Sequence, residues 1–346
     1  MAKKDRLKKK CFIIAEAGSN HNGSLQQAKK MIDAAKVSGC DAIKFQIFRA
    51  KTMYPNKPTK VKYLKDIGIK QDLYSIIKDF EVPYGWIEKL HSYCKKADIE
   101  FMATPFDIKS VHLLDNYVNI FKIASYESLF LDLINEVKKT KKPLFISTGG
   151  SYEKEIDLLV DSALSDYKDK TVLLHCVARY PAPLSEINLK VLPYMAEKYG
   201  IAVGYSDHSA DTTVAPATAV ALGAKVIEKH FTLDRTLPGP DHAFALEPYE
   251  LKQMVLAIRS TEKALKGSGS RRLAKCEEEL YHYKRCLYSK KDLAKGHIIK
   301  EKDLVVLRNT GLNGDYFNPM EKENLLGRVL KRPKKASDII MKGDVR

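Results

Sequence analysis

Eight short runs of β-branched and aromatic residues alternate with longer amphipathic segments, and this alternation is the strongest constraint on the fold. Segments such as LQQAKKMIDAAKVSG and GWIEKLHSYCKKAD lie between the runs. Strand–helix alternation produces right-handed βαβ units and a parallel sheet. Eight such units over roughly 250 residues predict a closed (β/α)8 TIM barrel. The predicted strands are residues 12–16, 42–46, 100–105, 120–125, 143–148, 171–176, 202–207 and 225–231.

The barrel pattern ends near Lys266, where the small, polar and basic stretch GSGSRR is typical of a linker. The residues that follow contain short strands and turns and no further βαβ unit. We therefore predict a TIM-barrel catalytic domain over residues 1–266, a linker over 267–280 and a small β-rich domain over 281–346. A dinucleotide-binding fold is not favoured, because no GxGxxG follows the first strand.

Composition excludes several classes of protein. The net charge is +16, but no RNP, zinc-finger or helix-turn-helix signature accompanies it, so we expect solvated lysines and no nucleic-acid partner. No apolar run approaches the roughly 20 residues of a membrane helix. The apolar run behind the basic segment MAKKDRLKKK is too short for a signal peptide. The six cysteines form no CxxC pair, so we expect reduced thiols and a cytoplasmic location.

Nearly every predicted strand ends in polar residues, and EAGSNHNGS, residues 16–24, is the first example. Barrel enzymes build their sites at the C-terminal ends of the strands. One such residue would be unremarkable, but eight consecutive strands with the same polarity predict one active site. The strand-end residues are Glu16, His21, Lys44, Gln46, Thr104, Lys122, Ser125, Ser147, His175, Ser206, Asp207, His208, Glu228 and His230.

Two histidines, His208 and His230, follow consecutive strands and could share one metal ion. Imidazole suits manganese, iron, cobalt or zinc, and carboxylate or water ligands favour manganese or magnesium. Glu16 lies beside them when the barrel closes, so it could reach the metal directly or through water. The alternative is a pair of rim histidines with ordinary hydrogen-bond partners.

Two lysines at strand ends, Lys44 and Lys122, predict an anion site, because an inward-pointing ammonium group is costly without an anion. Hydroxyl donors from neighbouring strands would complete a site for a phosphate and a carboxylate. The alternative is that the lysines pair with Glu16, Glu127 or Asp207. The stiff loop RTLPGPDHAFALEP, residues 235–248, would hold Asp241 over the same site.

The sequence closely resembles the sialic acid synthase family, the phosphoenolpyruvate-dependent nonulosonate synthases. The resemblance covers nearly the whole chain in order, and the C-terminal domain resembles the family's antifreeze-protein-like (SAF) domain. The matching segments are IIAEAGSNHNGS, DAIKFQ, MATPFD, FKIAS, ISTGG, LLHCVARYPAP, VGYSDHS, EKHFTLDRTLPGPDH and LEP.

The resemblance implies that phosphoenolpyruvate condenses with an N-acyl hexosamine, N-acetylmannosamine or a close relative, to give a nonulosonic acid and phosphate. It implies a divalent metal held by His208 and His230, manganese first, with magnesium or cobalt as alternatives. Lys44 and Lys122 would offset substrate charge, and the base that activates water stays open between Glu16, Glu127 and a hydroxide on the metal. The matched phosphoenolpyruvate positions are Lys44, Thr104, Lys122, Ser125, Ser147 and Ser206, and the sugar-contacting positions are Gln46, Glu127, Tyr180 and Asp241.

The resemblance also implies a homodimer in which the small domain lays an arginine, matched by Arg308, into the partner's active site. Two segments depart from the family pattern. Ala178 and Arg179 stand where the family often has a hydroxyl or amide donor, and the RPGxG motif reads Arg308-Asn309-Thr310-Gly311.

Three alternatives to the N-acetylmannosamine reaction stay open. Legionaminic and pseudaminic acid synthases share the phosphoenolpyruvate and metal residues. A third, from another class, is a non-catalytic sugar- or nucleic-acid-binding relative that uses its basic surface.

Overall fold

The computed structural model describes residues 10–57, 59 and 71–346. The chain separates into two compact units, Met1–Lys266 and Gly267–Arg346. Most of the basic N-terminal segment, residues 1–9, lies outside the described residues.

The first unit is a closed barrel of parallel strands in the order β1 to β8. β1 pairs with both β2 and β8, and the second pairing closes the sheet. Each strand overlaps the run predicted for it, so the predicted TIM barrel is confirmed. The strands are β1 Phe12–Gly18, β2 Ala42–Ile47, β3 Glu100–Pro105, β4 Phe121–Ile123, β5 Leu144–Ser147, β6 Thr171–Cys176, β7 Ala202–Asp207 and β8 Val226–His230.

Helices occupy most of the segments between the strands and after β8. A π-helical turn, Val160–Leu164, continues one of them. Within the described part of the chain, the helices of this unit are α1 Leu25–Ser38, α2 Ala50–Met53, α3 Leu73–Asp79, α4 Trp86–Ala97, α5 Ile108–Leu114, α6 Leu131–Lys139, α7 Glu153–Leu159, α8 Val191–Tyr199, α9 Val214–Ala221 and α10 Pro248–Ala264.

Helix α1 illustrates how local sequence sets these elements. It begins after Ser24, whose hydroxyl accepts a hydrogen bond from the Gln27 amide at 3.2 Å. It ends at Gly39, whose φ of 87° suits the left-handed conformation of a helix C-terminus. Its buried residues recur at helical spacing and face the barrel. They include Ala28, Met31, Ile32 and Ala35.

The barrel interior has an apolar lower half. Side chains along a strand alternate between its two faces, so every second residue points inward. A β-carbon added at Gly204, in the inward series, would lie 2.7 Å from the Val226 carbonyl oxygen, which leaves no room for a ligand at that level. The apolar inward cluster consists of Phe12, Ile14, Ala42, Met102, Phe145, Val172, Leu174 and Val226.

The second unit is built on an antiparallel pair, β9 Arg285–Ser289 and β10 Leu304–Arg308, with a short helix α11 Lys322–Leu325. Its core is a separate apolar cluster that includes Leu287, Ile299 and Ile340. A 3-10 helix spans Lys275–Tyr283, so the predicted boundary between linker and small domain falls inside a helix.

All six cysteines are free, and Cys276 alone among them is exposed. In the described part of the chain no helix is long and apolar enough to cross a membrane.

Candidate active site

The upper half of the barrel interior is polar. The inward series that begins with apolar residues continues upward into charged, hydroxyl and imidazole side chains. We call this end of the barrel, with the loops that follow the strands, the mouth. The strand residues of the inward series at the mouth are Glu16, Lys44, Gln46, Thr104, Lys122, Ser147, Cys176, Ser206, Glu228 and His230.

Two lysines and two carboxylates form the charged centre of the mouth, and all four side chains are buried. Lys44 Nζ lies 2.8 Å from Glu16 Oε2 and 3.6 Å from Glu228 Oε1. Lys122 Nζ lies 3.7 Å from the same Glu228 oxygen. The predicted alternative in which the lysines pair with carboxylates therefore applies to Lys44 and Glu16. Glu228, which the sequence analysis noted as a strand-end residue without a role, is the group that both lysines share.

The pKa values of this cluster follow from burial and charge. Burial alone would lower the pKa of Lys44, but the carboxylates of Glu16 and Glu228 outweigh it and raise that pKa. Burial lowers the pKa of Lys122, whose nearest carboxylate is more distant. Burial would raise the pKa of Glu228, but the ammonium groups of Lys122 and Lys44 lower it to about 2. Lys122 is thus the less compensated cation and gains most from an added anion.

Hydroxyl donors surround the two ammonium groups. Lys44 Nζ donates to Thr104 Oγ1 at 3.1 Å, and Ser206 Oγ donates to Glu228 Oε1 at 3.1 Å. Ser125 Oγ accepts a hydrogen bond from the Gly149 amide at 3.1 Å, so its own proton is directed elsewhere. Ser147 Oγ is buried without a hydrogen-bond partner. A buried hydroxyl without a partner is costly and marks a place where a ligand atom can bind.

The two predicted metal ligands lie side by side at the mouth. The ring centroids of His208 and His230 are 5.6 Å apart, at an interplanar angle of 74°. In the residues that the structure covers, no group of three or more His, Cys, Asp or Glu side chains is placed to hold a metal. A metal bound here would therefore take two protein ligands and complete its shell from water or substrate.

The state of the two imidazoles fits such a metal. His208 Nδ1 lies 2.8 Å from the Val177 carbonyl oxygen, which can only accept, so the proton is on Nδ1 and Nε2 carries the lone pair. A carbonyl that fixes the tautomer in this way is typical of metal-ligating histidines. Burial, followed by the charge of His230, lowers the pKa of His208 well below its usual value, so it stays neutral. His230 Nδ1 is buried without a hydrogen-bond partner.

Glu16 does not act as a free ligand in this arrangement. Its Oε1 accepts a hydrogen bond from Gln46 Nε2 at 2.7 Å, and its Oε2 faces Lys44. Glu16 pairs in register with both Lys44 and His230 across the closing strands. The carboxylate therefore links the cation cluster to the histidine pair.

An aromatic wall encloses the histidines. Tyr180 stacks on His208 with centroids 4.0 Å apart, and its hydroxyl lies 3.1 Å from His208 Nε2. Phe244 lies 4.6 Å from the Tyr180 ring and 5.4 Å from His230. Sequence reasoning identified Tyr180 but missed Phe244, although the loop that carries it was singled out for Asp241.

The loop EAGSNHNGS closes against Asp241. Ser19 donates to Asp241 Oδ2 from its amide at 3.2 Å and from its hydroxyl at 2.9 Å. Gly18 has a φ of +52°, and a β-carbon there would lie 2.7 Å from the same oxygen, so the position requires glycine. Asp241 Oδ2 also lies 4.0 Å from His230 Nδ1. Asp241 therefore lies at the mouth, where it was predicted.

Glu127 lies at the end of a 3-10 helix, Ser125–Glu127, directly after β4. Burial raises its pKa to about 7, although the charge of Lys122 acts in the opposite direction. A carboxyl group with such a pKa can both give and take a proton near neutral pH.

Three of the predicted strand-end residues do not face the mouth. His21 packs edge-on against Trp86, with ring centroids 5.9 Å apart. His175 lies on the outer face of β6, and its Nε2 is 2.6 Å from the Ile187 carbonyl oxygen. Asp207 also belongs to an outward series, and its Oδ2 accepts from Lys229 Nζ at 2.8 Å. Successive side chains of a strand point to opposite faces, so His175 and Asp207, each next to an inward residue, point outward.

Lys229 is a positioning residue that the sequence analysis missed. It is buried, and beyond Asp207 its ammonium group donates to the carbonyl oxygens of Ser209 at 2.6 Å and Asp211 at 2.9 Å. These contacts hold the loop that begins with His208.

The two departures from the family pattern lie in different units. Arg179 is exposed and, with Tyr180, Leu184 and Asp211, lines a cavity of about 490 Å³ beside the mouth. Arg308 lies in the second unit, at the exposed end of β10. Asn309 braces the turn after it, because its side chain donates to the Leu312 carbonyl oxygen at 2.7 Å and accepts from the Leu312 amide at 3.0 Å.

Comparison with known proteins places the chain in a family. Residues 31–270 match the model of the NeuB family, and residues 284–346 match that of the SAF domain. N,N'-diacetyllegionaminic acid synthase of Campylobacter jejuni is 39% identical over 339 residues, which cover 96% of this chain and 99% of that protein.

Two solved structures agree with that assignment. A crystal structure of spore coat polysaccharide biosynthesis protein SpsE from Bacillus subtilis is 37% identical, with a TM-score of 0.65, and the match covers 97% of this chain and 95% of that one. The N-acetylneuraminic acid synthetase of Leptospira borgpetersenii, crystallised with citrate, is 34% identical, with a TM-score of 0.70, over 79% of this chain and 91% of that one. The chain therefore belongs to the NeuB family of synthases, and its C-terminal part is a SAF domain.

Proposed function

We propose that this protein is a nonulosonate synthase that condenses phosphoenolpyruvate with an N-acyl hexosamine and releases phosphate. The observation that carries the proposal is the convergence of two buried lysines and two buried histidines on one mouth. Lys44 and Lys122 are linked through Glu228, and His208 and His230 stand 5.6 Å apart. An anion site beside a cation site is what a reaction between an enol phosphate and a sugar aldehyde needs.

The cations and hydroxyls would hold phosphoenolpyruvate. Lys122 has the lower pKa and only a distant carboxylate, so an anionic oxygen beside it replaces a weak interaction with a strong one. Among the described residues, the buried Ser147 hydroxyl has no hydrogen-bond partner, and Ser125 presents a second hydroxyl held by the Gly149 amide. Lys44, Thr104 and Ser206 complete the same set.

His208 and His230 would hold a divalent metal, for which manganese is our first choice and magnesium or cobalt the alternatives. When bound, the metal supplies Lewis-acid polarisation of the aldehyde oxygen of the open-chain sugar. The protein's own part is to keep the His208 imidazole neutral and to orient it. Val177 does so through its carbonyl oxygen, and Lys229 does so through the loop that carries His208.

The reaction forms one carbon–carbon bond and breaks one carbon–oxygen bond. C3 of phosphoenolpyruvate attacks the aldehyde carbon, which receives a proton on its oxygen. Water adds to C2 and gives up a proton, and the bond between C2 and the phosphate oxygen then breaks to release inorganic phosphate. Glu127 has a pKa suited to taking the water proton, whereas both oxygens of Glu16 are engaged by Lys44 and Gln46. We therefore assign the proton transfer to Glu127 and an orienting role to Glu16.

The acceptor sugar would lie on the aromatic side of the mouth, against Tyr180, Gln46 and Asp241. N-acetylmannosamine or a close relative fits the general reaction. A second candidate is a 2,4-diacetamido sugar, which would make the product a legionaminic acid. It is favoured by the 39% identity with a protein named N,N'-diacetyllegionaminic acid synthase, against 34% with one named for N-acetylneuraminic acid.

We also propose that the active form is a homodimer in which Arg308 completes the partner subunit's mouth. An exposed arginine on a turn that Asn309 holds in shape suits recognition of a carboxylate or sugar oxygen. Sedimentation analysis of the full chain tests the assembly, and a monomer with full activity would contradict it.

The direct test measures phosphate release from phosphoenolpyruvate with a panel of acceptors, with and without manganese. N-acetylmannosamine, 2,4-diacetamido sugars and their 6-phosphates separate the candidate products. Release with any one of them and formation of a nine-carbon acid support the proposal. No release with any sugar would favour a binding relative.

A matched pair of variants tests the histidine roles. His208→Ala should fold normally, lose manganese binding and reduce turnover by about 10³-fold or more. His175→Gln changes a neighbouring, partly buried histidine outside the mouth and should keep manganese affinity. Equal manganese affinity in both variants, measured by calorimetry, would remove the metal role from His208.

A further inference from the structure

The least-explained group at the mouth is the carboxylate of Glu228. It is 4% exposed, and it is shared by two ammonium groups without contacting either at hydrogen-bond distance, since the separations are 3.6 and 3.7 Å. Its Oε1 accepts a hydrogen bond from Ser206, and no described residue forms a hydrogen bond with its Oε2. A carboxylate that served only to stabilise the fold would have its oxygens paired, because unpaired buried charge is expensive.

Glu16 shows the contrast within the same cluster. Its two oxygens lie at 2.7 Å from an amide and 2.8 Å from an ammonium group. Glu16 and Lys44 thus form a specific pair. The remaining cation, Lys122, has Glu228 as its charge compensation, and that compensation is loose.

We propose that Glu228 is the internal counter-ion of the empty site, a positioning residue that keeps Lys44 and Lys122 in place until the substrate anion arrives. This inference deepens the proposed function and rests on it, because it takes the anion to be phosphoenolpyruvate. The two lysines and two carboxylates of the charged centre balance one another when the site is empty. An incoming phosphate is therefore repelled by Glu228 as well as attracted by the two lysines. The charge of Glu228 thus limits how tightly the anion binds.

The consequence is a trade between stability and affinity. Removal of the Glu228 charge leaves one buried ammonium group without compensation, which destabilises the empty enzyme. The same change removes a repulsive charge a few ångströms from the anion site, which strengthens anion binding. A merely structural carboxylate would show the first effect without the second.

The test uses Glu228→Gln in the full chain, with inorganic phosphate as the probe and sodium chloride to match ionic strength. Without phosphate, the variant should unfold at a lower temperature than the wild type. Phosphate should raise the midpoint of the variant more than that of the wild type. By calorimetry the dissociation constants of phosphate and of phosphoenolpyruvate should each fall about tenfold.

Asp303→Asn is the matched control, because Asp303 is a buried carboxylate beside cations in the second unit. It should lower the midpoint while leaving phosphate affinity unchanged. If Glu228→Gln does not fold, Glu228→Gln combined with Lys122→Met removes one charge of each sign and should fold without phosphate. Failure of this double variant to fold would overturn the inference.

Two results would overturn the inference directly. One is equal stabilisation of wild type and Glu228→Gln by phosphate, and the other is weaker phosphoenolpyruvate binding in the variant. Neither readout needs a sugar or turnover. A protein that shows the phosphate effect but condenses no sugar would refute the proposed reaction and leave the counter-ion role standing.

Discussion

Buried carboxylates occur in both units of this protein, but they differ in how closely cations and hydrogen-bond donors approach them. In the second unit Asp303 Oδ2 accepts from His297 Nε2 at 2.7 Å and from the Lys300 amide at 3.0 Å, and Oδ1 lies 3.0 Å from Lys291 Nζ. Every oxygen of this group has a nearby donor or cation. At the mouth of the barrel, the cations nearest to Glu228 among the described residues are farther away, at 3.6 and 3.7 Å.

Asp344 repeats the pattern of Asp303. Its Oδ1 pairs with Arg332, and its Oδ2 accepts from the Met341 amide at 2.8 Å and from Lys334. Each of the two aspartates is the last residue of a short 3-10 helix and bonds back to the residue before that helix. Their carboxylates therefore stabilise turns of the backbone.

The difference shows how to separate stabilising charge from functional charge. A carboxylate bonded to backbone amides and nearby cations holds a fold, and its removal should cost stability. A buried charge with incomplete partners mainly serves ligand binding, so its removal should change ligand binding as well as stability. The variants below test this distinction in order of expected effect.

Lys122→Met should produce the largest functional loss. It removes the less compensated cation of the anion site, so kcat/KM for phosphoenolpyruvate should fall by about 10³-fold. Glu228 keeps the Lys44 ammonium group at 3.6 Å after this change, so the free energy of unfolding should fall modestly. Steady-state kinetics give kcat/KM, and urea unfolding of the same preparation gives the free energy of unfolding. A strongly destabilised variant with normal kinetics would break the distinction.

Asp344→Asn should produce the reverse result. It removes the charge that Arg332 and Lys334 share, and we expect the second unit to lose about 2 kcal/mol of stability. Phosphoenolpyruvate affinity at the barrel mouth should stay unchanged.

The pH dependence of this effect has a definite sign. Burial would raise the pKa of Asp344, but Lys334 and the Met341 amide hold it below its usual value. The stabilisation is therefore present above pH 4 or so, the range of an unfolded aspartate, and is lost as the pH falls further. Chemical unfolding at pH 7 and at pH 3 should show a smaller difference between variant and wild type at the lower pH.

The barrel could be predicted from the sequence because its signal is repeated eight times. Each strand was found within a few residues of its observed ends, and the polarity of the strand ends identified the mouth. The same reasoning treated all polar strand-end residues alike. His175 and Asp207 differ from Cys176 and Ser206 only by one position along their strands, yet they face the helices instead of the mouth. If every second residue had been followed along each strand from the apolar inward residues, His175 and Asp207 would have been distinguished from Cys176 and Ser206.

The pairing of charges could not be predicted in the same way. Glu228 stands in EKHF beside a metal-ligand candidate, and nothing in that tetrapeptide shows that two lysines from β2 and β4 reach it. Such a contact depends on side chains that cross the closed barrel between strands distant in sequence. The role of Lys229 was hidden for the same reason, since its three partners are the last residue of β7 and two residues of the loop that follows.

Glu127 and Asp344 should affect stability in opposite ways as the pH changes, because their pKa values are shifted in opposite directions. Burial raises the pKa of Glu127 to about 7, so the folded state binds its proton more tightly than the unfolded state does. Its contribution to stability is full below the unfolded value near pH 4.5 and is lost as the pH rises through about 7. Relative to Glu127→Gln, the wild type should therefore lose stability across this range.

If Glu127 is the base, kcat/KM of the wild type should rise about tenfold per pH unit up to pH 7, whereas kcat/KM of Glu127→Gln should be lower and independent of pH. A variant that kept the same inflection would assign the base to another group and leave Glu127 with a purely electrostatic place beside Lys122.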